Sequence, residues 1–225
     1  MHNMGNRDHK GARMLGAPVA AGASTCDGRT HPLPVAWADS IQGDVVWASC
    51  DGTAGSSVVL TDGARVRVRE VRSDGSELLR RMFLTLSDRT RYLYFCAGVP
   101  ANETWAGRFA ALSQTDGYAS YALVAEVGDP SQERNEVIGL ARFVRSVQGQ
   151  SAEIGLLLAD AWQSRGLGRF VLDRLQLEAR CRAVAAFTGS VLWENQRMMR
   201  LARRVFDHLE VACGQGVCEL TMALC

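Results

Sequence analysis

The five residues Ile154-Gly-Leu-Leu-Leu158 are apolar at every position, so a strand built from them has no polar face to turn toward water. Such a strand belongs in the middle of a sheet that is covered on both sides. The flanking segments read as that cover and as the rest of the sheet. From Arg65, "RVRVREV" alternates in the manner of a half-exposed strand. Asp74 with Glu77 resembles a capping box, and Leu78, Leu79, Met82, Phe83 and Leu86 then recur on one helical face. "GYASYALVAEVGD" and "NEVIGLARFVRSVQG" read as two strands joined by the polar turn "GDPSQERN", and the strand holding Ile154 starts near Ala152. A helix of about four turns follows, with Phe170, Val171, Leu175 and Leu177 to Ala179 on its buried side. "AAFTGSVLW" is the next strand. "ENQRMMRLARRVF" is a second amphipathic helix, with Met198, Met199, Leu201, Ala202, Val205 and Phe206 inward, and "LEVACGQGVCELTMAL" gives two strand-like runs around a glycine turn. The predicted fold class is mixed α/β, a single sheet with helices on both faces, in a domain of roughly 160 residues.

A chain of 225 residues has room for that domain and an extension, and can bury its core without disulfides or metal. Residues 1–62 are rich in Gly, Ala, Ser and Asp and lack periodicity, which predicts a flexible extension, with "DVVWASCDGTAGSSVVLTDG" able to form a short hairpin. Residues 63–225 are the predicted folded domain. Hydrophobic residues make up 47% and charged residues 22%, which argues against wholesale disorder, and no run of about 18 apolar residues offers a membrane span. A net charge of +1 gives no basic stripe for nucleic acid.

Seven cysteines are scattered without zinc spacing, so no metal is expected, and reduced thiols in a cytoplasmic protein fit best. Cys213 and Cys218 flank "GQGV" and read as half-buried thiols that a hairpin brings near each other. Lys10 is the one lysine, so no lysine side chain beyond it is open to modification. The first twenty residues are only weakly apolar and read as no signal peptide.

Directly after the apolar strand comes Gln163-Ser-Arg-Gly-Leu-Gly168, at the point where a helix begins. A glycine turn opening a helix offers unpaired N–H groups and a positive dipole end to an anion. A Walker loop needs a lysine that this region lacks, and a dinucleotide fingerprint needs a third glycine where Val171 stands. The remaining pattern, Gln/Arg-x-x-Gly-x-Gly/Ala, is met by Gln163, Gly166 and Gly168. Here the sequence resembles the GNAT superfamily of N-acetyltransferases, which close such a loop around the pyrophosphate of acetyl-CoA. "IGLLLAD" matches the strand that precedes the loop, and "SVLWENQRMMRLARRVF" matches the later strand, Asn and helix. "LRRMFLTLSDRTRYLYF" looks like the "LS-x-x-S/T-R-Y-x-x-F" segment of Pat-type bacterial acetyltransferases.

The resemblance implies a GNAT-like, mostly antiparallel sheet and an acetyl-CoA-dependent transfer to a primary amine. The acceptor is a protein lysine in the favoured case and a small-molecule amine in the alternative; no metal or membrane enters, and oligomeric state is left open. It implies that the backbone of Leu156, Leu157 and Leu158 holds the pantetheine arm. Gln163, Ser164, Arg165, Gly166, Leu167, Gly168 and Arg169 take the pyrophosphate, and Asn195 bonds the pantetheine arm while also able to cap its helix.

A lysine amine with a pKa of about 10.4 is mostly protonated at neutral pH, so a general base is required. Glu153, ten residues before Gln163, stands where several family members carry theirs. Beside an apolar strand its pKa is expected to rise by desolvation. Glu126 is the fallback base. The tyrosine that protonates the leaving thiolate in many family members is missing: Leu201, Ala202 and Arg203 occupy that region, and no tyrosine follows Tyr121. His208 reads as a surface residue. This departure keeps open a silent acetyl-CoA-binding sensor. The segment "VPANETWAGRFAALSQTDG", with Trp105, Phe109 and Tyr118, reads as a loop that either walls an acceptor groove or packs its aromatics on the protein's own core.

Overall fold

Eight strands form one sheet in the order β1-β2-β3-β4-β5-β6-β8-β7. The strands are β1 (Ser56–Val59), β2 (Arg65–Glu70), β3 (Ser120–Val127), β4 (Glu136–Arg145), β5 (Ser151–Leu158), β6 (Ala186–Leu192), β7 (Leu209–Gly214) and β8 (Val217–Ala223). The helices are α1 (Gly75–Thr85), α2 (Asp88–Phe95), α3 (Glu103–Ala110), α4 (Leu167–Cys181) and α5 (Gln196–Val205). This computed structural model describes residues 55–71, 75–128, 135–147 and 150–224. The capping box at Asp74 and the extension through residue 54 lie outside the described residues, and β1 is the described part of the hairpin expected near it.

Every pairing is antiparallel except β5 with β6, so the predicted mixed α/β class holds. Alternation sorts the side chains into two cores, one on each face. On one face α4 and α5 bring Phe170, Val171, Leu175, Met199 and Ala202 against Phe143, Phe187 and Leu220. On the other, α1 and α3 bring Leu79, Met82, Phe83 and Phe109 against Val124, Leu140 and Leu157. The predicted central strand lies between β4 and β6 with its alternate residues shared between these cores, as its unbroken apolar run requires.

Two expectations are corrected here. The segment read as a loop forms α3, capped by Asn102, whose side chain accepts a hydrogen bond from the Trp105 N–H at 3.0 Å. Phe109 lies in the core and Trp105 packs on it through Phe95, because the one-face spacing of these aromatics suits a helix better than a groove wall. Tyr118 stays exposed, with the Arg145 guanidinium 4.4 Å from its ring. Cys213 and Cys218 are joined by a disulfide rather than being separate thiols. The hairpin register sets the two residues directly opposite each other on β7 and β8, which brings their sulfurs together.

Candidate active site

The site begins where the sheet comes apart. β5 and β6 pair over three positions, Ser151↔Ala186, Ala152↔Phe187 and Glu153↔Thr188, and then diverge. β4 continues to pair with β5 as far as Leu158, so residues 154–158 keep one edge satisfied and present the other to the wedge. An unpaired parallel edge inside a sheet leaves backbone donors and acceptors available to an extended ligand. Ile154, Leu156 and Leu158 line the α4 side, while Leu157 is buried on the α1 side.

The loop that leaves β5 is held in a conformation few residues adopt. Ser164 has φ 62° and Gly166 has φ 89°, two left-handed residues on either side of Arg165. A side chain at Gly166 would meet nothing within 4 Å, so glycine is there for its backbone angle and for the open space beside it. Gly168 is small for a different reason: a Cβ on it would come within 3.0 Å of Leu201 on α5. α4 starts at Leu167 without any side-chain cap. Among the described residues no acceptor is bonded to the backbone N–H groups of Arg165, Gly166, Leu167 and Gly168. Those open donors at a helix start form a cradle for an anion.

The loop is pinned from behind by side chains. Asp160 accepts hydrogen bonds from the Ser87 N–H at 2.9 Å, the Ser87 hydroxyl at 2.5 Å and the Thr90 hydroxyl at 2.7 Å. Partial burial works to raise the Asp160 pKa, but the bonds from Ser87 and Thr90 outweigh it and hold it below the ordinary value. Gln163 Nε2 donates to Thr90 Oγ1 and to the Leu158 carbonyl, each at 3.0 Å, and its Oε1 accepts from Arg197 at 3.1 Å. The Gln163 side chain therefore ties α2, β5 and α5 together. This network gives physical content to the segment "LSDRTRYLYF". Ser87 caps α2, Thr90 carries the bridge, and buried Arg91 donates to the Val99 carbonyl at 2.9 Å and to the Leu86 carbonyl. Phe95 joins the aromatic cluster of Phe83, Trp105 and Phe109.

The two arginines of the loop differ. Arg165 pairs with Asp62 in the β1–β2 turn and lies 4.3 Å over the Trp162 ring. Arg169 is more exposed and stands 3.6 Å from Asp173, whose pKa burial pushes up to about 6 while Arg169 and Arg180 pull it back. Asn195 caps α5, its Oδ1 accepting from the Met198 N–H at 3.2 Å.

Glu153 occupies the last paired position of β5, at the vertex of the wedge. It is exposed, so the apolar surroundings expected around its carboxylate are absent. The fallback base is unsuited: Glu126 is buried and bonded through both oxygens to Arg69 Nε at 3.0 Å. Glu178, the other buried carboxylate beside a sheet face, is likewise bound by Arg174 at 2.6 Å and Arg182 at 2.7 Å.

The composition of the wedge's α2 side was not foreseen. Tyr94 lies over Gly155, its Oη 3.0 Å from where a Cβ would stand. Burial pushes its phenol pKa above the ordinary tyrosine value; the Arg142 guanidinium lowers it and the Glu153 carboxylate raises it. Arg142 stands directly across from Gly155 on β4. A tyrosine three residues past "TR" on a short helix, and an arginine inside an apolar strand, were the signals available for these two.

No family model matches the chain. Solved structures do. The chain is similar to the GNAT domain of S. lividans PAT over 75% of its own length and 96% of that domain, at 26% identity and a TM-score of 0.64. It is also similar, at 21% identity and a TM-score of 0.51, to a cAMP-binding acyltransferase from Mycobacterium smegmatis, of which it spans 47%. A spermidine N-acetyltransferase from Vibrio cholerae, solved with CoA and spermine, shares 14% identity over 71% of this chain and 95% of that one, at a TM-score of 0.52. The fold is that of the GNAT N-acetyltransferases, and the likeness to these structures supports an acetyltransferase. Within the class it resembles the Pat GNAT domain.

Proposed function

We propose that the protein transfers an acetyl group from acetyl-CoA to a primary amine, a protein lysine in the favoured case, with Glu153 as the general base. The observation that carries this reading is the coincidence, among the described residues, of three features: an uncapped helix start with four open N–H groups, an unpaired strand edge running from it, and an unpaired carboxylate at the edge's far end. A cofactor with an anionic pyrophosphate, an amide-bearing arm and a reactive terminus has the same order of parts. In this reading the N–H groups from Arg165 to Gly168 take the pyrophosphate, with Ser164 and Gly166 setting the backbone and Gln163 holding the loop from behind. Arg169 is the cation with freedom to turn toward the anion, and Arg165 adds field while keeping its pair with Asp62. The edge from Leu156 to Leu158 takes the pantetheine arm, and the amide of Asn195 not used in capping adds a donor.

Acetyl-CoA supplies the activated acetyl group. Glu153, at the vertex, accepts the proton of the incoming ammonium directly or through a water, which such a base typically makes worth about 10²- to 10⁴-fold in rate. The likeness to the PAT domain and the segment around Ser87, Thr90 and Arg91 favour a protein lysine over a small amine. Free thiol released from acetyl-CoA, followed with a panel of amines, tests the reading. Glu153→Gln is expected to lower kcat by about 10²-fold or more while leaving CoA affinity within a few-fold. Tight acetyl-CoA binding with no thiol released over hours would instead make the protein a silent binding module.

A further inference from the structure

On the α2 side of the wedge two hydrogen-bond donors lie on one sheet face, and neither is bonded to a described residue. Arg142 is half-buried, and no carboxylate, carbonyl or hydroxyl among the described residues accepts from it. The Tyr94 hydroxyl likewise donates to none of the described residues. Gly155 lies between them, a glycine in the middle of a strand, whose missing side chain lets the Tyr94 ring and hydroxyl come down onto the backbone of β5.

The arrangement of charge around them is uneven. Glu153 lies on the same sheet face, two residues from Gly155 along β5. Farther across, Glu219 on β8 accepts from the Ser190 hydroxyl of β6 at 2.9 Å, and its charge reaches the Cys96 thiol at the end of α2. This face is therefore acidic toward β8 and basic at β4. A half-buried guanidinium that no described residue pairs calls for a ligand or water to satisfy it. Elsewhere in this protein the buried guanidiniums are satisfied: Arg69 by Glu126, Arg91 by two carbonyls and Asp88, Arg174 by Glu178.

We propose that Arg142 and Tyr94 form a carboxylate subsite beside Glu153, so that the acceptor is an amine carrying a carboxylate a few atoms away. The phenol, held neutral, donates one hydrogen bond and the guanidinium a charge-assisted one. The acceptor's ammonium faces Glu153, toward the acidic side. A purely cationic acceptor such as a polyamine meets Arg142 with like charge and is disfavoured. The carboxylate comes from an Asp or Glu next to a target lysine, or from the backbone carboxylate of a free amino acid. The inference rests on the acetyltransferase reading and names its substrate class; Arg142 and Tyr94 here determine specificity.

The test is thiol release by the full chain with acetyl-CoA and four acceptors: a lysine peptide with a neighbouring Asp, the same peptide with Asn, free lysine with its α-amine blocked, and that compound as its amide. The subsite predicts kcat/KM about 10- to 100-fold higher for the Asp peptide than for the Asn peptide, the difference lying in KM. Preference for the blocked free acid over its amide assigns the carboxylate to the small-molecule source. Arg142→Gln is expected to bring the acidic-to-neutral ratio to about one, and Arg142→Lys to retain part of it because the charge persists. CoA affinity and the thermal midpoint of each variant report folding, so a misfolded Arg142→Gln is replaced by Tyr94→Phe, which should cut the same ratio by a smaller factor. Equal rates for acidic and neutral acceptors in the wild type overturn the subsite and leave acetyl transfer standing. No thiol from any acceptor overturns the acetyltransferase reading and the subsite with it.

Discussion

At the scale of single residues, the chain carries acids whose surroundings work in opposite directions. Asp173 on α4 is mostly buried against Arg169, and burial lifts its pKa from 3.8 to about 6. A carboxyl with a raised folded pKa costs nothing below its unfolded value, where both states are protonated. It costs progressively more between about pH 4 and 6, and a constant amount above that. Asp173→Asn is therefore expected to be more stable than the wild type by about 1–2 kcal/mol at pH 7. Urea unfolding at pH 7 and pH 4 checks this, and a gap that persists unchanged at pH 4 would assign the gain to packing instead. The position is legible in hindsight as an acid among Phe170, Leu172 and Leu175, yet only the fold shows that α4 buries that side. The same holds for Glu153: its place in the strand follows from spacing, while its exposure depends on where β6 leaves β5, which no local pattern encodes.

At the scale of elements, α2 is eight residues long and could not hold itself as a helix in isolation. It is fixed at its N-terminus by the Ser87 cap and by Asp160 from the far side of β5, and at its side by Arg91. Because Thr90 accepts from Gln163 while donating to Asp160, the helix that bears Tyr94 and the loop that opens α4 share one hydrogen-bond chain. Asp160→Ala is expected to cost about 1–2 kcal/mol, since a cap-like acceptor and two further bonds are lost together. Its folded pKa is depressed, so this stability is present above the unfolded carboxyl value near pH 4 and disappears as pH falls through the lower folded value. The gap between wild type and variant in a denaturant titration should therefore narrow and close as pH falls below the ordinary carboxyl value. CoA affinity measured by calorimetry should fall in the variant as well, because the loop loses its backing; an unchanged affinity would show that Gln163 needs only Leu158 and Arg197. The pattern "LS-x-x-T-R" announced these residues, but their partner Asp160 lies seventy residues on, and the sequence offers no sign of that pairing.

At the scale of the whole molecule, the sheet is two parts joined by a narrow seam. β1 to β5 form a continuous antiparallel block, β6 to β8 a second one, and three residue pairs connect them. Most strands and the helices α1, α4 and α5 were readable from periodicity, because each buries a simple face, whereas α2 was not read as a helix and α3 was read as a loop. The seam was not readable, since hydropathy along β5 and β6 does not distinguish a paired apolar edge from an open one. Nor was the Cys213–Cys218 bridge, which depends on the β7–β8 register rather than on cysteine spacing. A narrow seam has a mechanical consequence. In the proposed reading, acetyl-CoA along the open edge from Glu153 to the α4 loop is expected to contact both blocks, so that its binding stabilises the folded state as a unit. With CoA at about 100 times its dissociation constant the gain is about 2.7 kcal/mol, or roughly 5–10 °C in thermal midpoint for a domain of this size. Hydrogen exchange locates the effect. Protection is expected to rise in residues 154–158, in 165–168 and in 189–192, on the two lips of the wedge and its anion cradle, and to change little in β1, β2 and α3. A midpoint shift with protection confined to one block would mean that the ligand sits on a single side of the seam, and the wedge would lose its role as the donor site.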